Sequence, residues 1–422
     1  MNQAFAPDVT RPAAARPAAA ITHVPSSAAI RPARRIAGRP ALYLLASLIV
    51  SLLAASAAPT PLYASYAQSW HFTPVTTTII FGVYAVVVLT ALLALGRLSD
   101  YLGRRPVLLA ALAIQVVALL AFTTAGGTAE LLAARVIQGL STGAALGAIG
   151  AGMLDIDRER GALANALSPG LGTGTGALAS ALLVRYLPAP THLVYLVLIA
   201  VVIAQAAGVA LLRETVTRGP LTATAFIPDV RLPRPVRGPM LAATPVLIAV
   251  WALAGLYGAL GPALVGTLTG SPSEVLGGLS LTALTVTAVG SVYLLRTVAA
   301  RTVMLTGILA LVAGAAVTLA ALSAGSPALF FAGTAVSGIG FGSGFQGAIR
   351  TVVPQVAPHE RAGVMSVVFT ISYIGLGVPA VGAGLLAVHG AGLLGAARYY
   401  GIALIVLAAL ALAGLYRTRP SR

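Results

Sequence analysis

The sequence predicts an all-α integral membrane protein, with twelve transmembrane helices in two pseudo-symmetric six-helix bundles, and three observations carry that reading. Of its 422 residues 58% are hydrophobic and only 9% charged, where an ordinary soluble domain carries about a quarter charged residues. Apolar runs of roughly 20 residues recur from Ala41 to Tyr416, each long enough to cross a hydrocarbon layer about 30 Å thick. Arginines cluster in alternate connections between these runs, hence on one side, as the positive-inside rule requires of a polytopic chain.

Composition also removes several classes of activity. With no Cys there is no disulfide framework, thiolate metal site, catalytic thiol or thiolate-held iron–sulfur cluster. The five His show no metal-ligand spacing. All 26 basic residues are Arg, and against 10 acids they give a net charge of +16. In a soluble chain that excess points to nucleic acid. Here the Arg residues lie between apolar runs and label topology, so the expected partners are the lipid bilayer and a small molecule, with no nucleic acid. Without Lys there is no G-x-x-x-x-G-K-[ST] phosphate loop, which excludes the usual ATP-driven machinery.

Residues 1–40, rich in Ala, Pro and Arg with Asp8 as the single acid, cannot bury enough apolar surface to fold and read as a disordered cytoplasmic tail. No compact apolar stretch with a cleavage site marks them as a secretory signal. Twelve runs follow, over 41–67, 74–95, 106–125, 129–154, 161–187, 191–212, 241–266, 273–295, 302–323, 327–353, 362–388 and 393–416. The span 41–416 allots about 31 residues to each, a helix plus a short connection, which leaves no room for a soluble domain. The Pro- and Arg-rich segment 213–240 is a cytoplasmic linker that divides the chain into bundles at 41–212 and 241–416, and 417–422 is a second cytoplasmic tail.

With the amino terminus inside, 23 of the 26 Arg fall in inner segments; Arg185 and Arg398 lie outside and Arg135 lies within a helix. Both termini are therefore expected to be cytoplasmic. The halves repeat: Gly139-x-x-x-Gly143 precedes Arg158-Glu159-Arg160 as Gly338-x-x-x-Gly342 precedes His359-Glu360-Arg361, the mark of a duplicated six-helix unit.

Taken in order, the first run carries Pro59 and Pro61, which break a backbone ladder and are tolerated near a cavity or a helix end. Between the second and third runs lies a tight turn, Gly96 to Pro106, where Gly103 permits an unusual backbone conformation and Asp100 stands among arginines. A carboxylate there can pair with those cations or sit at a helix amino terminus. In the fourth run Arg135 is the one clearly intramembrane charge. At that depth it either faces a cavity or a partner or reaches for the outer headgroups. Gly139, Gly143 and Gly147 form a smooth stripe for close helix packing. No acid falls at the midplane; Glu130, five residues before Arg135, is the carboxylate available to carry a proton.

The segment Gly96, Asp100, Gly103, Arg104 and Arg105 closely resembles the loop motif of the major facilitator superfamily. The resemblance implies that this loop latches the two halves on the cytoplasmic side in an outward-open state. Asp100 would then meet the start of the eleventh helix near Arg361 to Gly363, and Arg104 would pair with Asp155. Arg135, Gln138, Gly139, Gly143 and Ala144 are similar to the fourth-helix motif of proton-driven members, which implies a coupling role for Arg135. Ala58 to Tyr63 looks like the first-helix ending of bacterial efflux members. Ser168-Pro169-Gly170 with Gly172, Gly174 and Gly176 departs from the Gly-Pro order of the drug antiporters' fifth helix. Because the family fold turns helices one, four, seven and ten inward, the resemblance marks Tyr63, Tyr66, Gln138, Trp251, Tyr257, Phe345 and Gln346 as candidate cavity residues.

This resemblance to twelve-helix drug:proton antiporter-type members implies a secondary active transporter working by alternating access. The expected activity is proton-coupled efflux of amphipathic, drug-like compounds across a bacterial plasma membrane. The expected protein is a monomer and not an enzyme, with no cofactor, driven by a proton or other ion gradient. A lone Arg135 equally suits an anionic metabolite taken up by symport or uniport. A membrane-embedded enzyme or a non-transporting membrane protein stands as the more remote alternative.

Overall fold

A computed structural model describes residues 35–271 and 273–417; of the expected tails at 1–40 and 417–422, residues 1–34 and 418–422 lie outside the described residues, while Ile36 is hydrogen-bonded, Arg39 already opens the first helix and Arg417 ends the last. The helices are α1 (Arg39–Ala57), α2 (Tyr63–Trp70), α3 (Pro74–Leu95), α4 (Leu98–Leu102), α5 (Arg104–Thr124), α6 (Thr128–Ile156), α7 (Arg158–Tyr186) and α8 (Pro190–Ala210) in the first half. The second half holds α9 (Arg237–Ala259), α10 (Gly261–Thr269), α11 (Glu274–Leu294), α12 (Ala300–Ala324), α13 (Pro327–Val352), α14 (Arg361–Val388) and α15 (Gly392–Arg417). Among the described residues, twelve helices are long and apolar enough to cross a membrane.

Each half buries its own core. One is built around Leu48, Leu52, Leu108, Phe122 and Ile149, the other around Val246, Val250, Leu311, Phe330 and Leu404. The glycine stripe explains how the helices approach so closely. A Cβ on Gly143 of α6 would fall 2.6 Å from the Val88 carbonyl oxygen of α3, and one on Gly342 of α13 would clash with the Ala288 carbonyl oxygen of α11. Gly139 and Gly338 meet the carbonyls of Tyr84 and Leu284 in the same way. The repeated glycines thus make the same crossing twice, once per half.

The face that holds residues 35–38, the α8–α9 linker and the end of α15 carries most of the arginines and is hereafter the basic face. The halves meet along α3 with α14 and α7 with α11. Close approaches run from the opposite face to the middle of the bundle: Gly384 against Thr78, Gly82 against Val381, Gly278 against Ala177, Gly174 against Thr285 and, deepest of these, Gly170 against Val289. Thr60 Oγ1 also donates to the Gly258 carbonyl at 3.3 Å.

The expected elements are corrected at three places. The first run is not one helix: it stops at Ala57 and resumes at Tyr63, because Pro59 and Pro61 supply no N–H to the ladder. The seventh run breaks at Leu260 between α9 and α10, where Pro262 opens the new helix and donates nothing backward. The loop at 96–106 is not a bare turn, since 98–102 form the short helix α4. The start of the interhalf linker is pinned rather than free. Ile36 N–H donates to the Leu211 carbonyl at 2.9 Å and Arg213 N–H to the Ile36 carbonyl at 3.0 Å, a one-bridge pairing with the segment before α1.

Candidate functional site

The break in the first membrane helix prepares the site around Arg135. Pro59 has no N–H to return to the Ala55 carbonyl, and Thr60 N–H turns instead to Ala57 at 3.0 Å. Two carbonyls are therefore left open, and a buried carbonyl must find another donor. Two side chains of α6 supply them. Gln138 Nε2 donates to the Ala55 carbonyl at 3.1 Å, and an Arg135 terminal nitrogen donates to the Ser56 carbonyl at 2.9 Å. Arg135 also donates to Gln138 Oε1 at 2.7 Å and to the Tyr63 hydroxyl at 2.6 Å.

The guanidinium is fully buried, with its Nε–H unpartnered. The rings of Tyr84, Phe122 and Tyr63 stand 5.2, 5.6 and 5.9 Å from its central carbon, and ring faces attract such a cation. Around this cage Tyr66 shares a hydrogen bond of 3.2 Å with Tyr195, and Phe122 stacks on Tyr195 at 5.1 Å. All of the cation's partners are neutral. Glu130 is exposed at the opposite face, and among the described residues no ion pair joins it to Arg135.

A second group lies where the halves meet. Tyr84, Ala85 and Val88 of α3 pack with Tyr373 and Leu376 of α14, and Trp251 of α9 joins them. Trp251 stands edge-on to Phe345 at 5.5 Å and to Phe341 at 6.1 Å, and lies 5.4 Å from Tyr373. Its indole N–H is buried without a hydrogen-bond partner, a deficit worth about 1–3 kcal/mol in an interior. Tyr84 faces both groups, since the same ring lies over Arg135.

The candidate cavity residues therefore separate. Tyr63, Tyr66 and Gln138 belong to the Arg135 cage, and Trp251 and Phe345 to the junction. Tyr257 turns into its own half, where its hydroxyl meets Thr334 at 2.7 Å. Gln346 donates to the Val292 carbonyl at 3.1 Å, with its amide oxygen unpartnered. Sequence reasoning missed Tyr84, Phe122, Tyr195, Phe341 and Tyr373. They sit in nearly uniform apolar runs, and only the spacing of aromatics within those runs could have pointed to them.

At the basic face Arg104 forms the centre of the loop. It pairs with Asp100, donates to Asp155 at 3.2 Å through Nε and reaches Ser99 at 2.6 Å. Asp100 is half exposed and has Arg104 as its ion-pair partner. The expected meeting of Asp100 with the start of the eleventh membrane helix is absent from this conformation, because Asp229 and Arg231 of the linker lie beside Gly363 instead. Gly103 adopts φ 97°, and a Cβ there would strike the Glu214 carboxylate at 2.6 Å. That carboxylate accepts from the backbone N–H of Arg104 at 2.8 Å and of Arg105 at 3.1 Å, so Gly103 is small for a reason the loop alone does not reveal. Gly96 lies under Gly147 of α6. No group of His, Asp and Glu able to hold a metal occurs among the described residues.

The fold is shared with transporters of known structure. The nucleoside transporter NupG, as a point mutant, superposes with a TM-score of 0.64 at 12% identity, covering 89% of this chain and 98% of that one. The human organic anion transporter MFSD10 (TETRAN) does so with a TM-score of 0.64 at 16% identity, covering 88% and 98%. No curated protein matches the sequence. The family model of the Major Facilitator Superfamily matches residues 44–295, more than half of the chain and the part that carries both the loop at 96–106 and the Arg135 helix. The chain belongs to the major facilitator superfamily.

Proposed function

We propose that the chain is a secondary transporter that exports small amphipathic molecules by alternating access, from a bacterial plasma membrane with the basic face cytoplasmic. The carrying observation is the Trp251 junction, an uncharged aromatic meeting point of the two halves that presents one unsatisfied hydrogen-bond donor. Such a surface rewards a broad apolar body with a single acceptor and discriminates weakly among its shapes. The close approaches toward the opposite face fit an inward-facing state. Exchange against protons is supported by the resemblance of the Arg135 helix; Glu130, exposed, adds nothing to it. We propose a monomer that needs no cofactor.

Arg135 favours a second reading, transport of an anionic metabolite, because a buried cation with only neutral partners leaves positive potential beside Tyr84 and the junction. The test is accumulation of cationic, neutral and anionic amphipathic compounds in a pump-deficient bacterial host, with and without a protonophore. Export predicts that wild-type cells exclude some compounds, that the protonophore abolishes exclusion, and that Trp251→Ala does the same. Faster accumulation of anions alone would replace export by uptake, and no change in any compound would end the drug-like reading.

A further inference from the structure

The α8–α9 linker is bound to both halves. At its start Glu214 caps the first turn of α5 through the N–H groups of Arg104 and Arg105, where a carboxylate meets the positive end of the helix dipole. Thr215 Oγ1 donates to Asp155 at 3.0 Å, and Gly219 N–H donates to the Tyr101 carbonyl at 3.1 Å. The chain then makes a 3₁₀ turn, Ala223–Phe226, against α3 and α4, with Ala225 only 1% exposed. Further on, Asp229 and Arg231 are ion-paired at 3.1 Å and lie over the first turn of α14. A Cβ on Gly363 would fall 3.1 Å from Arg231 and 3.4 Å from Asp229 Oδ1. The linker thus spans from the basic-face ends of α3, α4 and α5 to that of α14, beyond the zone of those close approaches between the halves.

We propose that residues 214–231 are a strap that holds the basic face open, seated between the α3–α4 corner and the start of α14 and fastened by Asp229 at that helix terminus. The strap rests on the alternating-access reading: closing the basic face requires the start of α14 to approach α4, and the strap lies in that path. Leaving the seat costs it the buried Ala225 contact and the position of Asp229 at the positive helix end. The strap is therefore a weight on the conformational equilibrium, set by how firmly it docks.

A chain with no Cys accepts spin labels without background. Arg158→Cys and Gln355→Cys place a pair across the basic face, and pulsed electron–electron distances report its opening. Asp229→Asn and Ala225→Arg should each raise the short-distance fraction about two- to five-fold, in protein that elutes as one folded species. Unchanged distances in both variants would overturn the strap. Gly278→Val is the independent lever, since its side chain would meet the Ala177 carbonyl at the opposite face and pry that face apart without touching the linker. If Gly278→Val raises the short-distance fraction and the strap variants do not, the strap is wrong and alternating access stands. If no variant moves the distances, alternating access fails and takes the strap with it. Should Ala225→Arg not fold, the isosteric Asp229→Asn decides alone.

Discussion

Arg135 is held by a carbonyl, an amide oxygen and a phenol, three acceptors aimed at one planar fork. Lys carries its three donors on one compact ammonium and does not match the spread of a planar fork. Arg135→Lys should fold and lose transport by roughly tenfold, the equivalent of about 1.4 kcal/mol for one charged hydrogen bond, as read by initial rates in vesicles. Tyr63→Phe removes one acceptor and should lower stability by about 1–2 kcal/mol, measured by heating the detergent-solubilised protein and following its size-exclusion peak. Trp251 separates packing from recognition. Trp251→Phe deletes an N–H that bonds nothing in the protein, so thermal stability should hold while transport falls for compounds that offer an acceptor. Loss of stability with transport intact would mean that the indole is only packing.

At the scale of the element, the interruption at 58–62 matters more than the helices on either side. Because Pro59 withholds an N–H, the Ala55 and Ser56 carbonyls turn to Gln138 and Arg135, so a proline in one helix orients a cation in another. Pro59→Ala restores the missing donor and should let the Ala55 carbonyl return to its own helix. The expected result is impaired transport in a protein at least as stable as wild type; a fully active variant would show that the break does not position Arg135. The glycine stripe makes a steric prediction. Gly143→Val would drive a Cβ to 2.6 Å from both the Ala91 Cβ and the Val88 carbonyl oxygen, whereas nothing lies within 4 Å of a Cβ on Gly290. Folded yield should collapse for Gly143→Val and remain normal for Gly290→Val, since over-packing a tight crossing costs about 1–3 kcal/mol or more.

For the whole molecule, transport by alternating access requires α3 and α14 to slide or part. A Cβ on Gly377 would stand 3.6 Å from that of Ala85 across this seam, within disulfide range. The double variant Ala85→Cys, Gly377→Cys should be inactive when oxidised and active when reduced. Activity that survives complete cross-linking would show that this seam stays closed throughout the cycle.

The apolar runs marked the membrane helices closely: 74–95 became Pro74–Leu95 and 362–388 became Arg361–Val388. The stripe of Gly139, Gly143 and Gly147 likewise marked a helix face that packs closely on a neighbour. These signals are local. They depend on hydrophobic length matched to a bilayer, on charge at helix ends and on the room a missing Cβ leaves, so the sequence by itself determined twelve spans, two halves and an arginine within the fourth, while its burial came from the tertiary structure. It did not reveal that Glu214 sits over Gly103 or that Asp229 rather than Asp100 lies at the start of α14. It was equally silent on the meeting of Tyr84, Tyr373 and Trp251. Those are pairings between residues distant in the chain, decided by how each helix rotates about its axis, and only packing in three dimensions sets that.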